Sequence, residues 1–281
     1  MSFGPLVSTE WLRDHIAGRA QGATTYDGEV RVIDFRWYLQ GRSGREEYSR
    51  GHIPGAVFVD LEAVTGPDGA GRHPLPPAYQ FELEMQRAGV DPTTKVVVYD
   101  DSGGSVAARL WFLLGWFGHE AQAVLDGGLQ AWGQPLDDVT PTVEAGGFHA
   151  RQPDRSRVID FAAVRTVRDV PILDARAGER YRGEKEPIDP KAGHIPGAVS
   201  APVTDNLRPD GRFKTPEELR RRFSELGALD GAVLYCGSGV NACHNLLAME
   251  VAGLRNGRLY AGSWSDWSRR DAPIATGKDP G

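Results

Sequence analysis

Cysteine is scarce in this chain: its 281 residues include two, Cys236 and Cys243, with no Cys-x-x-Cys pair. Two thiols cannot make a disulfide framework, and such usage suits a reducing compartment, so the cytoplasm is the expected location. Long apolar runs are missing as well, and none approaches the ~20 residues that a bilayer-spanning helix needs. The opening Met1-Ser2-Phe3-Gly4-Pro5-Leu6 lacks a basic region followed by an apolar core, so no signal peptide is expected. Positive charge is not in excess: the formal net charge is −6 and the pI about 5.7. That balance argues against nucleic acid or an anionic membrane as the main partner. An anionic small substrate would have to be drawn in by a local positive site. No Gly-x-x-x-x-Gly-Lys loop or dinucleotide fingerprint precedes a helix, and the seven histidines do not cluster with cysteine at zinc spacing. Neither a cofactor nor a metal is therefore expected. What remains, 40% hydrophobic and 25% charged residues, is ordinary for a globular protein long enough for two domains.

What the chain does have is an internal repeat. Gly51-His52-Ile53-Pro54-Gly55-Ala56-Val57 recurs identically as Gly193-His194-Ile195-Pro196-Gly197-Ala198-Val199. Three further pairs follow in the same order: Val32–Arg36 with Ile172–Arg176, Val96–Tyr99 with Ala232–Tyr235, and Gly127–Trp132 with Gly262–Trp267. Repeats this long indicate a duplicated domain rather than a solenoid. Residues 1–140 form the first copy and 158–281 the second. The intervening 141–157, in a stretch rich in Pro, Asp, Gly and Thr, reads as a surface linker.

Within each copy short apolar runs alternate with helical stretches, which implies an α/β fold with a mainly parallel sheet. Ser8 or Thr9, and Asp160, are expected N-caps of a first helix. Pro-Gly in the repeated heptapeptide suits the central positions of a type II turn. Helices are expected near Tyr79–Ala88, Pro216–Leu226 and Ala242–Ala252, and late strands near Ala121–Leu125 and Gly257–Tyr260. Ligands in such folds bind beyond the carboxyl ends of the strands, where Asp100 and Cys236 both fall.

Cys236 heads the most informative segment, Cys236-Gly237-Ser238-Gly239-Val240-Asn241-Ala242, set between an apolar run and a helix. A strand, a tight glycine-containing loop and a helix N-terminus surround one side chain with backbone N–H groups and so hold an anion. A cysteine there is favoured as thiolate. A buried core cysteine is the plainer alternative, but Gly237 and Gly239 suit a chain folded back around a small ligand. Cys243, well into the helix, reads as packing. A cysteine phosphatase would need an arginine where this chain has Ala242. The first copy carries Asp100 at the place of Cys236, a poor nucleophile toward sulfur, so one site per chain is expected, with the first copy closing over the second.

Paired Gly-His-Ile-Pro-Gly-Ala turns, a reactive cysteine in the second copy alone and Cys-Gly-Ser-Gly-Val-Asn-Ala-Cys-His resemble the two-domain rhodanese family of sulfurtransferases, over essentially the whole chain. The resemblance implies two domains, each with a five-stranded parallel sheet covered by helices on both faces. It implies that Cys236 takes a sulfur from a small-molecule donor as a persulfide and passes it to a thiol, thioredoxin or cyanide. Gly237 and Ser238 stand where thiosulfate-preferring relatives carry basic residues, and so match relatives that use 3-mercaptopyruvate; thiosulfate is the alternative donor. Gly237, Gly239, Val240, Asn241 and Ala242 are the implied substrate-binding loop, and Arg180 the implied partner of the donor's anionic end. Ser238 and His52 match a serine and a histidine proposed to act together on the substrate, although His194 in the second copy equally suggests a histidine that braces the turn. Arg176 reads as part of a structural ion pair. The chain departs from the pattern at the segment upstream of His52, which lacks an expected aspartate, at Ile188-Asp189, where a second substrate arginine is expected after Glu186-Pro187, and at Asn241, which replaces a threonine. A non-catalytic persulfide carrier on the same fold is the reading from another class.

Overall fold

The computed structural model describes residues 3–20, 29–67 and 69–281. It divides into two compact units: Met1–Val64 with Pro76–Pro153 and Pro209–Arg212, and Thr65–Leu75 with Asp154–Arg208 and Phe213–Gly281. The first unit contains β1 (Leu6–Val7), α1 (Thr9–Ala20), β2 (Val30–Asp34), α2 (Gly44–Arg50), β3 (Val57–Phe58), α3 (Ala78–Arg87), β4 (Lys95–Tyr99), α4 (Ala107–Trp116), β5 (Gln122–Leu125) and α5 (Gly128–Trp132). The second contains β6 (Val158–Ile159), α6 (Phe161–Val164), β7 (Ile172–Asp174), α7 (Gly178–Tyr181), β8 (Ala198–Ser200), α8 (Pro216–Glu225), β9 (Ala232–Tyr235), α9 (Ala242–Val251), β10 (Gly257–Tyr260) and α10 (Ser263–Trp267). Both sheets are parallel and five-stranded, in the orders β1-β5-β4-β2-β3 and β6-β10-β9-β7-β8. The expected α/β fold, a pair of five-stranded parallel sheets, is the one found.

The central strands show why a parallel sheet results. Val96 to Tyr99 and Ala232 to Tyr235 are fully buried at every position, so both faces of β4 and β9 must be covered. Val97 and Tyr99 pack with Leu12 of α1 and Trp132 of α5, while Val233 and Tyr235 pack with Val164 of α6 and Trp264 and Trp267 of α10. Alternation turns Val96, Val98, Ala232 and Leu234 to the opposite face. β1 and β6 were not readable in the sequence, because two residues are too few to show a period.

Local chemistry sets the helix ends as expected. Thr215 and Glu218 form a reciprocal capping box with Pro216 behind the cap, and Asp160 accepts the Ala163 N–H at 2.8 Å. In each heptapeptide the glycine after proline, Gly55 or Gly197, takes positive φ (76° and 83°), and the next amide donates to the isoleucine carbonyl at 2.9 Å. The stretch read as a surface linker is partly anchored instead. Gly146 N–H donates to Gln86 O, Phe148 N–H donates to Val90 O, and the buried Phe148 ring meets Phe81 edge-on. One aromatic side chain with a hydrophobic place to go overrides the polar composition around it.

The repeated sequences build one network twice. Arg36 and Arg176 grip Asp34 and Asp174 through short bonds (2.7 and 2.6 Å) and also donate to the carbonyls of Gly51 and Gly193. Tyr99 and Tyr235, adjacent to those aspartates in the sheet, accept the N–H of Ile53 and Ile195. Burial and the nearby aspartate push both phenols well up, so they stay protonated. The Asp-x-Arg motif and its tyrosine therefore pin the turn to the sheet. Arg176 is structural, as read.

Candidate active site

Cys236 leaves the carboxyl end of β9, the middle strand of its sheet, and is 3% exposed. Three bonds fix its backbone: Cys236 N–H donates to Ser263 Oγ at 3.0 Å, Trp264 N–H to Cys236 O at 3.0 Å, and Ser265 N–H to Gly237 O at 2.8 Å. Ser263 itself adopts φ 52°, costly for a residue with a Cβ, and its hydroxyl donates to Tyr260 O at 2.9 Å. The loop then turns back at Gly239 (φ 81°), whose N–H donates to Cys236 Sγ at 3.1 Å. A side chain on Gly239 would lie 2.5 Å from Ala261 O, so only glycine permits this approach. That amide and the start of α9 both favour negative charge on sulfur. Val240 and Ala242 are buried supports, Val240 O accepting the Cys243 N–H at 3.0 Å. Asn241 caps α9 with no side-chain hydrogen bond, so the hydrogen-bonding substitute expected there is not used as a cap. Cys243 is fully buried, its Sγ donating to Gly239 O at 3.3 Å, a packing role.

The first unit shows what the corresponding loop does when it carries its own anion. Asp100 is fully buried, and its carboxylate accepts N–H bonds from Ser102, Gly104, Val106 and Ala107 at 2.7–2.9 Å. The carboxylate fills the amide cradle, leaving its donors no room for another anion. Asp100→Ala is expected to orphan four amide donors, three of them buried, and destabilise the first unit by about 3–5 kcal/mol. Urea unfolding should show this as an earlier transition, and an unchanged midpoint would contradict it.

Arg180 lies on α7, where Nη2 and Nε hold Glu186 at 2.6 and 3.1 Å and Nη2 reaches Asp189 at 3.4 Å. Burial alone would raise the Glu186 carboxyl, but hydrogen bonds from Arg180 and from the amides of Asp189 and Ile188 outweigh it and hold the group below the usual range. A Cβ added to Gly237 would stand 3.5 Å from Arg180 Nη1, which places the guanidinium beside the residue following Cys236.

Ser238, nearly buried, is hydrogen-bonded at 2.8 Å to an imidazole, but that imidazole is His73 and not His52. His73 lies in Thr65–Leu75, the piece of the first repeat that packs in the second unit. Gly71 seats this segment, since a Cβ there would fall 2.4 Å from Gly262 O, and Arg72 N–H donates to Ser265 Oγ at 3.0 Å. His52, in the first unit, shares two contacts with His194 in the second. Its Nδ1 bonds Tyr48 O at 2.9 Å and its ring stacks on Tyr48 at 3.9 Å and 12°; His194 bonds Tyr181 O at 2.8 Å and stacks on Tyr181 at 3.8 Å and 10°. These shared contacts favour the bracing alternative for His52, while the copies differ at Nε2: that of His194 lies 3.3 Å from Pro280 O, and that of His52 is buried with no hydrogen-bond partner. His73 escapes the repeat search because the match around it is short and interrupted: Pro67-Asp68-Gly69 recurs as Pro209-Asp210-Gly211 and Arg72 as Arg212, but Phe213 stands where the first copy has His73. The one signal it carried was a lone His between Arg and Pro in a loop.

Among the described residues no group of His, Cys, Asp and Glu is arranged to hold a metal, and no helix is long and apolar enough to cross a membrane.

Comparison with known proteins agrees with this geometry. The family model described as a rhodanese-like domain matches residues 9–135 and again 162–270. A Pseudomonas aeruginosa protein named "Probable 3-mercaptopyruvate sulfurtransferase" is 48% identical over 267 residues, covering 89% of this chain and 93% of its own length. A Mycobacterium tuberculosis protein named "Putative thiosulfate sulfurtransferase SseB" is 38% identical over 250 residues, covering 85% of this chain and 88% of its own length. The crystal structure of SseA from Escherichia coli, described as a 3-mercaptopyruvate sulfotransferase with the rhodanese fold, superposes with a TM-score of 0.80. It is 33% identical, with 93% of this chain and 99% of that one covered.

Proposed function

This chain belongs to the rhodanese family, and on that premise we propose that it is a sulfurtransferase moving sulfur from 3-mercaptopyruvate, through a Cys236 persulfide, to a thiol or cyanide. The single observation that carries the donor is the Ser238–His73 hydrogen bond two residues beyond the cysteine. The two donors differ in what must leave. Thiosulfate loses sulfite, an anion stable as it departs. Mercaptopyruvate loses the enolate of pyruvate, a strong base that needs a proton on carbon. A hydroxyl–imidazole pair serves the second and is idle in the first.

In the first half-reaction the Cys236 thiolate attacks the donor sulfur. The S–S bond forms as the C–S bond breaks, and the bonding pair leaves with the three-carbon fragment as enolate. The proton that the donor sulfur carried passes by way of Ser238 and His73 to the enolate carbon, releasing pyruvate and leaving Cys-S-S⁻. In the second, cyanide or a thiol takes the outer sulfur and the thiolate returns, so kinetics are ping-pong. The Gly239 amide serves the thiolate and then the persulfide. Arg180 holds the donor carboxylate.

With cyanide as acceptor, kcat/KM for 3-mercaptopyruvate should exceed that for thiosulfate by at least about 10²-fold, the range a positioned proton donor contributes. Preference for thiosulfate would overturn the donor. Turnover with neither would leave a persulfide carrier.

A further inference from the structure

The ion pairs behind the cysteine loop form one alternating chain. Asp174 pairs with Arg176, Arg176 with Glu186 at 3.2 Å, Glu186 with Arg180, Arg180 with Asp189, and Asp189 with Arg72. Three acids balance three arginines, so the network neutralises itself, and its two guanidinium groups nearest the reaction converge at one place. A Cβ on Gly237 would lie 2.9 Å from Nη2 of Arg72 as well as 3.5 Å from Nη1 of Arg180. Arg72 is held there from both sides: its amide bonds Ser265 Oγ, and Asp189, whose side chain is fully buried, takes Nη1. Its Nε is buried with no hydrogen-bond partner, an uncommon state for a guanidinium in a folded protein.

The position after Glu186-Pro187, where a second arginine was expected, holds Ile188, and the next residue, Asp189, binds Arg72 instead. We propose that Arg72 is a substrate-specificity residue of this chain: with Arg180 it clamps the carboxylate of a 2-oxo acid donor above Gly237, and Asp189 is the positioning residue that aims it. The absence of a Cβ at residue 237 is then part of the clamp, since a side chain there would occupy the space where the guanidinium groups meet. Two planar forks suit a carboxylate that offers two oxygens. The proposal rests on the sulfurtransferase reading and concerns only how the donor is held.

The test separates loading from discharge. Single-turnover loading of Cys236 by 3-mercaptopyruvate is followed by intact mass, and discharge of the loaded protein by dithiothreitol, a neutral acceptor, serves as the internal control. Arg72→Met should raise the half-saturating donor concentration about 10- to 100-fold, the equivalent of one lost charge-assisted hydrogen-bonded contact. It should raise the inhibition constant of pyruvate, which keeps the carboxylate and lacks the sulfur, by a similar factor. Arg72→Lys should fall between Met and the parent, because it keeps charge and loses the fork. An unchanged half-saturation, or an equal loss in loading and in discharge, would overturn the assignment. Failure of the unsubstituted protein to load from 3-mercaptopyruvate at all would instead remove the donor reading on which it rests.

Discussion

Cys236→Ser is expected to abolish sulfur transfer from every donor, with kcat/KM falling by at least about 10⁴-fold, because the step lost is formation of the covalent intermediate itself. A serine hydroxyl at this position still accepts the Gly239 N–H, and the backbone bonds to Ser263, Trp264 and Ser265 do not involve sulfur. The substituted protein should therefore melt within about 2 °C of the parent, as for an isosteric change that leaves the hydrogen bonds in place. After incubation with donor, the parent should carry one extra sulfur atom, lost on adding cyanide, and the serine variant none. Residual turnover above about one part in a thousand of the parent rate would move the chemistry elsewhere. Cys243, buried against Gly239 O, has no such role, so Cys243→Ala should retain persulfide formation.

His73→Asn is expected to lower kcat with 3-mercaptopyruvate by about 10²–10³-fold, the range for loss of a general acid–base group. Asparagine keeps an amide near the position of Nδ1 and so preserves a bond to Ser238 Oγ while removing the group that can gain and lose a proton. The loss should fall on loading, where the enolate needs its proton, and spare discharge to a thiol. The matched control is His52→Asn. It removes the ring stacked on Tyr48, worth about 0.5–1.5 kcal/mol, and should lower the melting temperature while kcat changes less than about threefold. If His52→Asn costs as much in kcat as His73→Asn, the bracing role assigned to His52 is wrong.

These two histidines show where reading from the chain alone reached its limit. His52 stands in a heptapeptide that occurs twice, and a repeated motif draws the eye whether it serves chemistry or architecture. The same Tyr–His stack and the same Nδ1-to-carbonyl bond occur in both copies, which favours architecture for His52. His73 has no histidine as its counterpart, since Phe213 follows the corresponding Arg212. Its importance comes from a contact with Ser238, 165 positions away in the chain. Arg72 and Asp189 are likewise 117 positions apart, and the exchange of a missing arginine at Ile188 for one arriving from the first repeat leaves no trace in local spacing.

From its sequence alone this chain reads as a duplicated α/β protein with one cysteine-bearing amide loop, because those properties are carried by local and periodic signals. Buried strands read as apolar runs, Pro-Gly fixes a turn through its own φ, and Cys-Gly-Ser-Gly before a helix supplies its amides from neighbouring residues. Asp100 in place of Cys236 was legible for the same reason. Which side chains gather beside the cysteine loop was decided by tertiary structure. The segment Thr65–Leu75 leaves the first repeat and is seated in the second unit by the close approach of Gly71 to Gly262 O, bringing Arg72 to Gly237 and His73 to Ser238. A contact between distant residues depends on how whole elements pack, and a single sequence records the residues that meet without recording that they meet.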